Sequence, residues 1–157
     1  MTYMMSTKAF NAMKMEDIAK NFKGESIHIM PDIKKVSVIN LGMAKDQLMN
    51  IVKMNCSVTV FDEDFSPNEL KDMDCDAVLV TDGNVDAVKI GSIADKLKTV
   101  AGKKKLLGIG SGKDIVKAAA QEDAWKQEGK VYVGQKAQTY GCDTCEAENL
   151  AELFKFL

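Results

Sequence analysis

The chain has 157 residues, 46% hydrophobic and 28% charged, with a net charge of −2. That length suits one domain with a single substantial core. The Lys and Asp/Glu are interspersed and every one of the 21 basic residues is Lys, so neither a nucleic-acid footprint nor a polybasic membrane patch is expected. No apolar run approaches the roughly 20 residues that cross a bilayer. The start, MTYMMSTKAF, lacks the basic and apolar regions of a secretory leader. Four irregularly spaced cysteines, Cys56, Cys75, Cys142 and Cys145, do not form a disulfide framework. A cytoplasmic protein with reduced thiols is the expectation.

In chain order, Ala9, Phe10, Met13, Ile18, Ala19 and Phe22 predict one helix over 6–22, capped by Ser6 or Thr7 and closed at Lys23-Gly24. Ser26–Met30 reads as a short strand stopped by Pro31-Asp32. Residues 1–33 are thus expected to be a helical extension on an α/β domain spanning 34–157. In that domain 36–40, 57–61, 77–81 and 106–109 read as strands. Helices are predicted between them at 45–54, with Leu48, Ile51 and Val52 inward, at 67–71, and at 87–100. Asp86 should cap the last of these, whose inward side is Val88, Ile90, Ile93, Leu97 and Val100. A helix over 113–120, a polar stretch 121–129, a strand at 131–133, an irregular segment 134–145 and a helix over 146–156 complete the chain. Strands alternating with helices predict a three-layer α/β/α domain on a mostly parallel sheet, flavodoxin-like in class.

The stretch KKLLGIGSGKDIVKAAA concentrates the chemical signal: an apolar strand, the turn Gly110-Ser111-Gly112, and a helix packing back. α/β folds place reactive atoms and bound anions at such a turn. Residues 36–120 resemble the class I glutamine amidotransferase domain, most of all that of the carbamoyl phosphate synthetase small subunit. Three motifs carry the resemblance. VINLGMAKDQLMNIVKMNCSVTVF holds Gly42, Ala44, Lys45 and Cys56 in place. VTDGNVDA stands where the family has Ser-Asn-Gly-Pro-Gly-Asp-Pro, keeping Gly83 and Asp86 but with Val85 and Ala87 for Gly and Pro. Gly108-Ile109-Gly110-Ser111-Gly112 matches the nucleophile elbow Gly-Ile-Cys-x-Gly.

The resemblance implies an oxyanion hole built partly from the Gly83 backbone, a nucleophile at position 110 and docking on a larger synthetase subunit. Yet position 110 is glycine, the sole histidine is His28, and QTYGCDTCEA stands where the family's terminal His-x-Glu should fall. The segment between the elbow helix and the last strand is also much shorter than the family's. Losing a triad member costs roughly 10⁴–10⁶-fold in rate, and here nucleophile and base are both gone. The expectation is therefore a degenerate amidotransferase-like domain, a truncated relative without the Cys-His-Glu triad. Such a protein would bind or regulate, through a protein partner of the synthetase kind, through self-association, or through a small anion held by Gly83, Gly110, Ser111, Gly112 and Lys113. No cofactor is expected.

Other readings of these residues weigh less. Ser111 lacks the G-x-S-x-G register and fits better as a helix N-cap. Gly108–Lys113 is one residue short of a P-loop. Gly42 with Asp62-Glu63-Asp64 retains one glycine of the dinucleotide fingerprint. Asp82, placed as in a phospho-receiver, has Asn40-Leu41 where metal-holding acids would be needed. Two alternatives from other classes stay open. One is thiol, redox or metal chemistry at Cys142 and Cys145, the latter with a pKa lowered by a helix N-terminus; the other is an amidotransferase subunit with a replaced nucleophile. His28, alone, makes no site. The ten methionines fill core gaps or cover the N-terminal helix, where an exposed Met-rich stripe would suit a docking partner.

Overall fold

Apolar runs alternating with amphipathic helices from residue 34 onward leave one economical arrangement, a sheet covered on both faces. The structure, a computed structural model, describes residues 2–30 and 33–157 and adopts that arrangement. The chain divides into two compact units, Met1–Ile33 and Lys34–Leu157.

In the larger unit the strands are β3 (Lys34–Ile39), β4 (Cys56–Phe61), β5 (Ala77–Val80), β6 (Lys105–Ile109), β7 (Trp125–Glu128), β8 (Val131–Gly134) and β9 (Thr139–Cys142). They form one sheet in the order β4-β3-β5-β6-β9-β8-β7. The first five positions are parallel, with the doubly wound order 2-1-3-4-5 of flavodoxin-like folds. β8 and β7 add an antiparallel margin. Helices α3 (Lys45–Val52) and α7 (Ala147–Leu153) send Ile51, Leu150 and Leu153 into a core with Val36, Val38, Leu79 and Leu107. On the opposite face α4 (Pro67–Asp72), α5 (Ala87–Leu97) and α6 (Gly112–Ala120) bury Leu70, Ile93, Leu97, Ile115 and Val116 against Ile39, Val78, Val80 and Leu106. A 3₁₀ turn over Phe154–Phe156 ends the chain's regular structure.

Several sequence expectations are corrected. β7 lies inside the polar stretch 121–129, and β9 inside the segment read as irregular. β8 runs antiparallel, because a two-residue turn separates it from β7 and leaves no room for a crossover. Val88 is 81% exposed and Val52 40%, although both fit the apolar stripes of their helices. α5 ends at Leu97, short of Val100.

The smaller unit holds β1 (Thr2–Ser6), α1 (Thr7–Ala12), α2 (Met15–Asn21) and β2 (Ser26–Met30), with β1 and β2 parallel. The apolar pattern predicts a single helix over 6–22. Instead Met13 and Lys14 are extended, where the apolar spacing lengthens to five between Met13 and Ile18. Ser6 caps α1, its Oγ accepting the Ala9 N–H at 3.1 Å. Met4 and Met15 are exposed rather than gap-filling, and Ile18 is the buried residue of this unit among those described. The predicted stop at Pro31-Asp32 lies outside the described residues. No helix is long and apolar enough to cross a membrane among the described residues.

The short return from α6 to the sheet is held by one carboxylate. Glu122, 7% exposed, accepts the backbone N–H groups of Gln135, Lys136 and Ala137. Burial alone would raise its pKa, but those three donors and the Lys136 ammonium outweigh it and leave the pKa lowered.

The burial pattern predicts a sharp contrast between two apolar truncations. Leu107→Ala, at a fully buried position, should cost about 2–5 kcal/mol in urea unfolding, whereas Val88→Ala should cost within about 0.5 kcal/mol.

Candidate functional site

The carboxyl ends of β5 and β6 converge on one turn. β6 leads through Gly110 and Ser111 into α6, and Gly112 lets that helix start against β5. A Cβ at Gly112 would collide with the Val80 carbonyl oxygen. Gly110 has φ +57°, the left-handed region that glycine tolerates. Its N–H donates to the Cys142 carbonyl at 3.0 Å, tying the elbow to β9.

The space above Gly110 belongs to Asp82. A Cβ at position 110 would lie 2.5 Å from the Asp82 Cγ. Asp82 Oδ1 accepts the Ser111 N–H at 3.0 Å and the Gly83 N–H at 3.0 Å. The Ser111 hydroxyl lies 2.8 Å from both Asp82 Oδ1 and the Gly83 carbonyl, and also accepts from the Gly83 N–H at 3.0 Å. The backbone donation from Ser111 is the main cause of a lowered Asp82 pKa, with Lys113 adding to it. Behind this clasp, buried Thr81 accepts the Leu41 N–H at 2.8 Å, and Asn40 Oδ1 accepts the N–H groups of Gly42 and Met43. Three loops at the carboxyl edge are thus tied together through short polar side chains.

The structure brings Gly83, Gly110, Ser111 and Gly112 together, as the motif spacing requires. Ser111 holds the N-cap position of α6, but its hydroxyl bonds across to the β5 loop and makes no capping bond, which corrects its reading as a cap. Lys113 points elsewhere. Its ammonium pairs with Asp143 and lies 4.5 Å from the Tyr132 ring centroid. Tyr132 Oη donates to the other Asp143 oxygen at 3.1 Å. Next to this cluster is a cleft of about 280 Å³ lined by Lys113, Asp114, Lys117, Trp125 and Tyr132.

Cys142 ends β9 and Cys145 precedes α7; both are buried and free. Cys142 Sγ donates to the Thr144 carbonyl at 3.3 Å and Cys145 Sγ to the Gln47 carbonyl at 3.3 Å. Burial pushes the Cys142 thiol up to about 12, with Cys145 beside it as a lesser cause, and pushes Cys145 up to about 11. The lowered pKa expected for Cys145 is therefore overturned: desolvation exceeds any help from the short helix that follows. Among the described residues, no three His, Cys, Asp or Glu side chains converge on a metal-sized position.

Fold and edge geometry define a doubly wound α/β protein with a glycine-centred elbow at the carboxyl edge of its sheet, where β6 leads into α6. The curated proteins that this chain resembles are carbamoyl phosphate synthase small chains. It is 33% identical over 92 residues to that of Clostridium perfringens, covering 59% of this chain and 26% of the relative. It is 28% identical over 102 residues to that of Clostridium acetobutylicum, covering 65% and 29%. The chain thus spans about a quarter of the length of these relatives. A solved structure described as a GMP synthase component of Thermoplasma acidophilum superposes with a TM-score of 0.48 at 12% identity, covering 71% of this chain and 83% of that one. No family model matches the chain.

Sequence reasoning missed what Asp82 does. The signal was present: Asp82 stands second in the stretch matching Ser-Asn-Gly, and glycine stands where the elbow needs a side chain. Together they place a carboxylate over an empty position. Asp143 and Tyr132 were missed because nothing in their spacing announces a partnership with Lys113.

Two measurements follow from the charges. Folding holds Asp82 ionised, so its stabilisation is complete above the unfolded pKa of about 4 and is lost as pH falls through the lowered folded value. Asp82→Asn should therefore flatten the acid limb of the stability profile below about pH 4 while leaving its neutral shape unchanged. Separately, native-state thiol labelling should reach half-buried Cys75 first, and Cys142 and Cys145 only at the rate of unfolding.

Proposed function

We propose that this chain is a non-catalytic relative of the glutamine amidotransferase domain of carbamoyl phosphate synthase small chains, and that it acts by binding. The observation that carries this reading is the Asp82 carboxylate seated over Gly110, within 2.5 Å of where a nucleophile's Cβ would stand. A carboxylate there would repel a developing oxyanion, and it already takes the Gly83 and Ser111 N–H groups that would stabilise one. Acyl transfer also needs a base, and the sole histidine, His28, stands outside the stretch that carries the resemblance.

In this reading two of the residues proposed to hold a small anion, Gly83 and Ser111, already hold an internal one, the Asp82 carboxylate, which also occupies the space over Gly110. An external anion gains the site only when Asp82 moves; otherwise it is confined to the neighbouring cleft, where Lys113 and Lys117 stand one helical turn apart. The relatives are named as small chains, and a larger synthetase-like subunit is the protein partner that this resemblance supports. Cys142 and Cys145 pack the core as protonated thiols, which favours neither redox nor metal chemistry.

The test is ammonia release from glutamine by the purified chain, expected to stay at the buffer rate; steady turnover would overturn the reading. Gly110→Cys should remain inactive. It should also lose about 1–2 kcal/mol of stability, because its Cβ meets Asp82 and its backbone is held at positive φ.

A further inference from the structure

Sheet margins invite pairing unless charge, proline or cover blocks it, and the two margins of this sheet are built differently. β7 presents exposed Lys126 and Glu128. β4, CSVTVF, contains no Asp, Glu, Lys, proline or glycine, and its one hydrogen-bonded strand neighbour among the described residues is β3. Ser57 and Thr59 are exposed, and Val60 is 51% exposed. Met49 and Val52 of α3, whose Ile51 joins the same core cluster that Val58 packs against, are exposed as well.

We propose that β4 is a homodimer interface, in which two copies of this chain pair antiparallel, edge to edge, about a two-fold axis normal to the sheet. Such an axis keeps each face on its own side, so a residue must meet one of the same alternation. With Thr59 on the axis, Val58 of each copy stands opposite Val60 of the partner subunit. Half-buried Val58 and exposed Val60 thereby become cross-strand aliphatic pairs, and free edge amides enter a ladder. Because the strand is uncharged, no like charges oppose one another along it.

The flanks select the antiparallel arrangement. Lys53 precedes β4, and the acidic turn Asp62-Glu63-Asp64 follows it. Antiparallel pairing brings each acidic turn beside Lys53 of the partner subunit, twice by symmetry. Parallel pairing would set acid against acid. Lys53, Asp62 and Asp64 are exposed, and among the described residues none of them forms an ion pair. The interface stands apart from the elbow, so its failure leaves the non-catalytic reading untouched, and glutamine turnover would leave the interface untouched.

The experiment is the mass of the full chain by light scattering over a concentration series, with hydrogen exchange of the β4 amides. The expected result is a dimer whose β4 protection is lost on dilution. Val60→Lys should weaken it roughly tenfold or more. Lys53→Glu should also weaken it, and Lys53→Glu combined with Asp64→Lys should restore it. The charge swap involves exposed side chains only, so it remains informative even if Val60→Lys impairs folding. A monomer at every concentration overturns the proposal. So does a dimer indifferent to both the valine and the charge-swap variants, including one dissolved instead by Met4→Lys.

Discussion

Everything at the carboxyl edge of the sheet turns on one buttress, the Asp82 carboxylate braced against the Ser111 amide and hydroxyl across Gly110. Helix starts attract anions because their first N–H groups lack partners. This chain supplies the anion from its own neighbouring strand. The result joins the ends of β5 and β6, fixes the first turn of α6, and fills the volume over the elbow. Glycine at 110 and aspartate at 82 make sense only together: any side chain at 110 would displace the carboxylate, and without the carboxylate the glycine would leave a hole.

Under the non-catalytic reading proposed above, that pairing shows how the fold can persist around an elbow without a nucleophile. The strands, crossovers and Gly112 contact depend on backbone approach and apolar burial, and these persist. At position 110, where the family it resembles carries its nucleophile, this chain has only a hydrogen atom. The loop facing it supplies a carboxylate that takes up the Gly83 and Ser111 donors.

The parallel part of the fold was legible because β3, β5 and β6 are short apolar runs buried on both faces, which composition alone reveals. β9 was not, because Thr139–Cys142 contains a glycine and no run of branched residues; its place is set by register with β6, a long-range fact. β7 was hidden by its charges, Lys126 and Glu128, which mark an outer strand but look like a loop. Val88 misled because periodicity shows which residues could share a face, not where the sheet ends beneath them. At the site, motif order was enough to find the elbow. It could not show Lys113 turning toward Asp143, since that depends on how the antiparallel margin folds back.

A single acid bonded to three successive amides has a mechanical result. Glu122 grips three consecutive amides, so the connection from α6 to β9 has little slack between the points where Trp125 and Val131 pack against the cores. Helix, hairpin and last parallel strand are thereby coupled into one cooperative block, and amides at 135–137 should open to solvent only when α6 itself lets go.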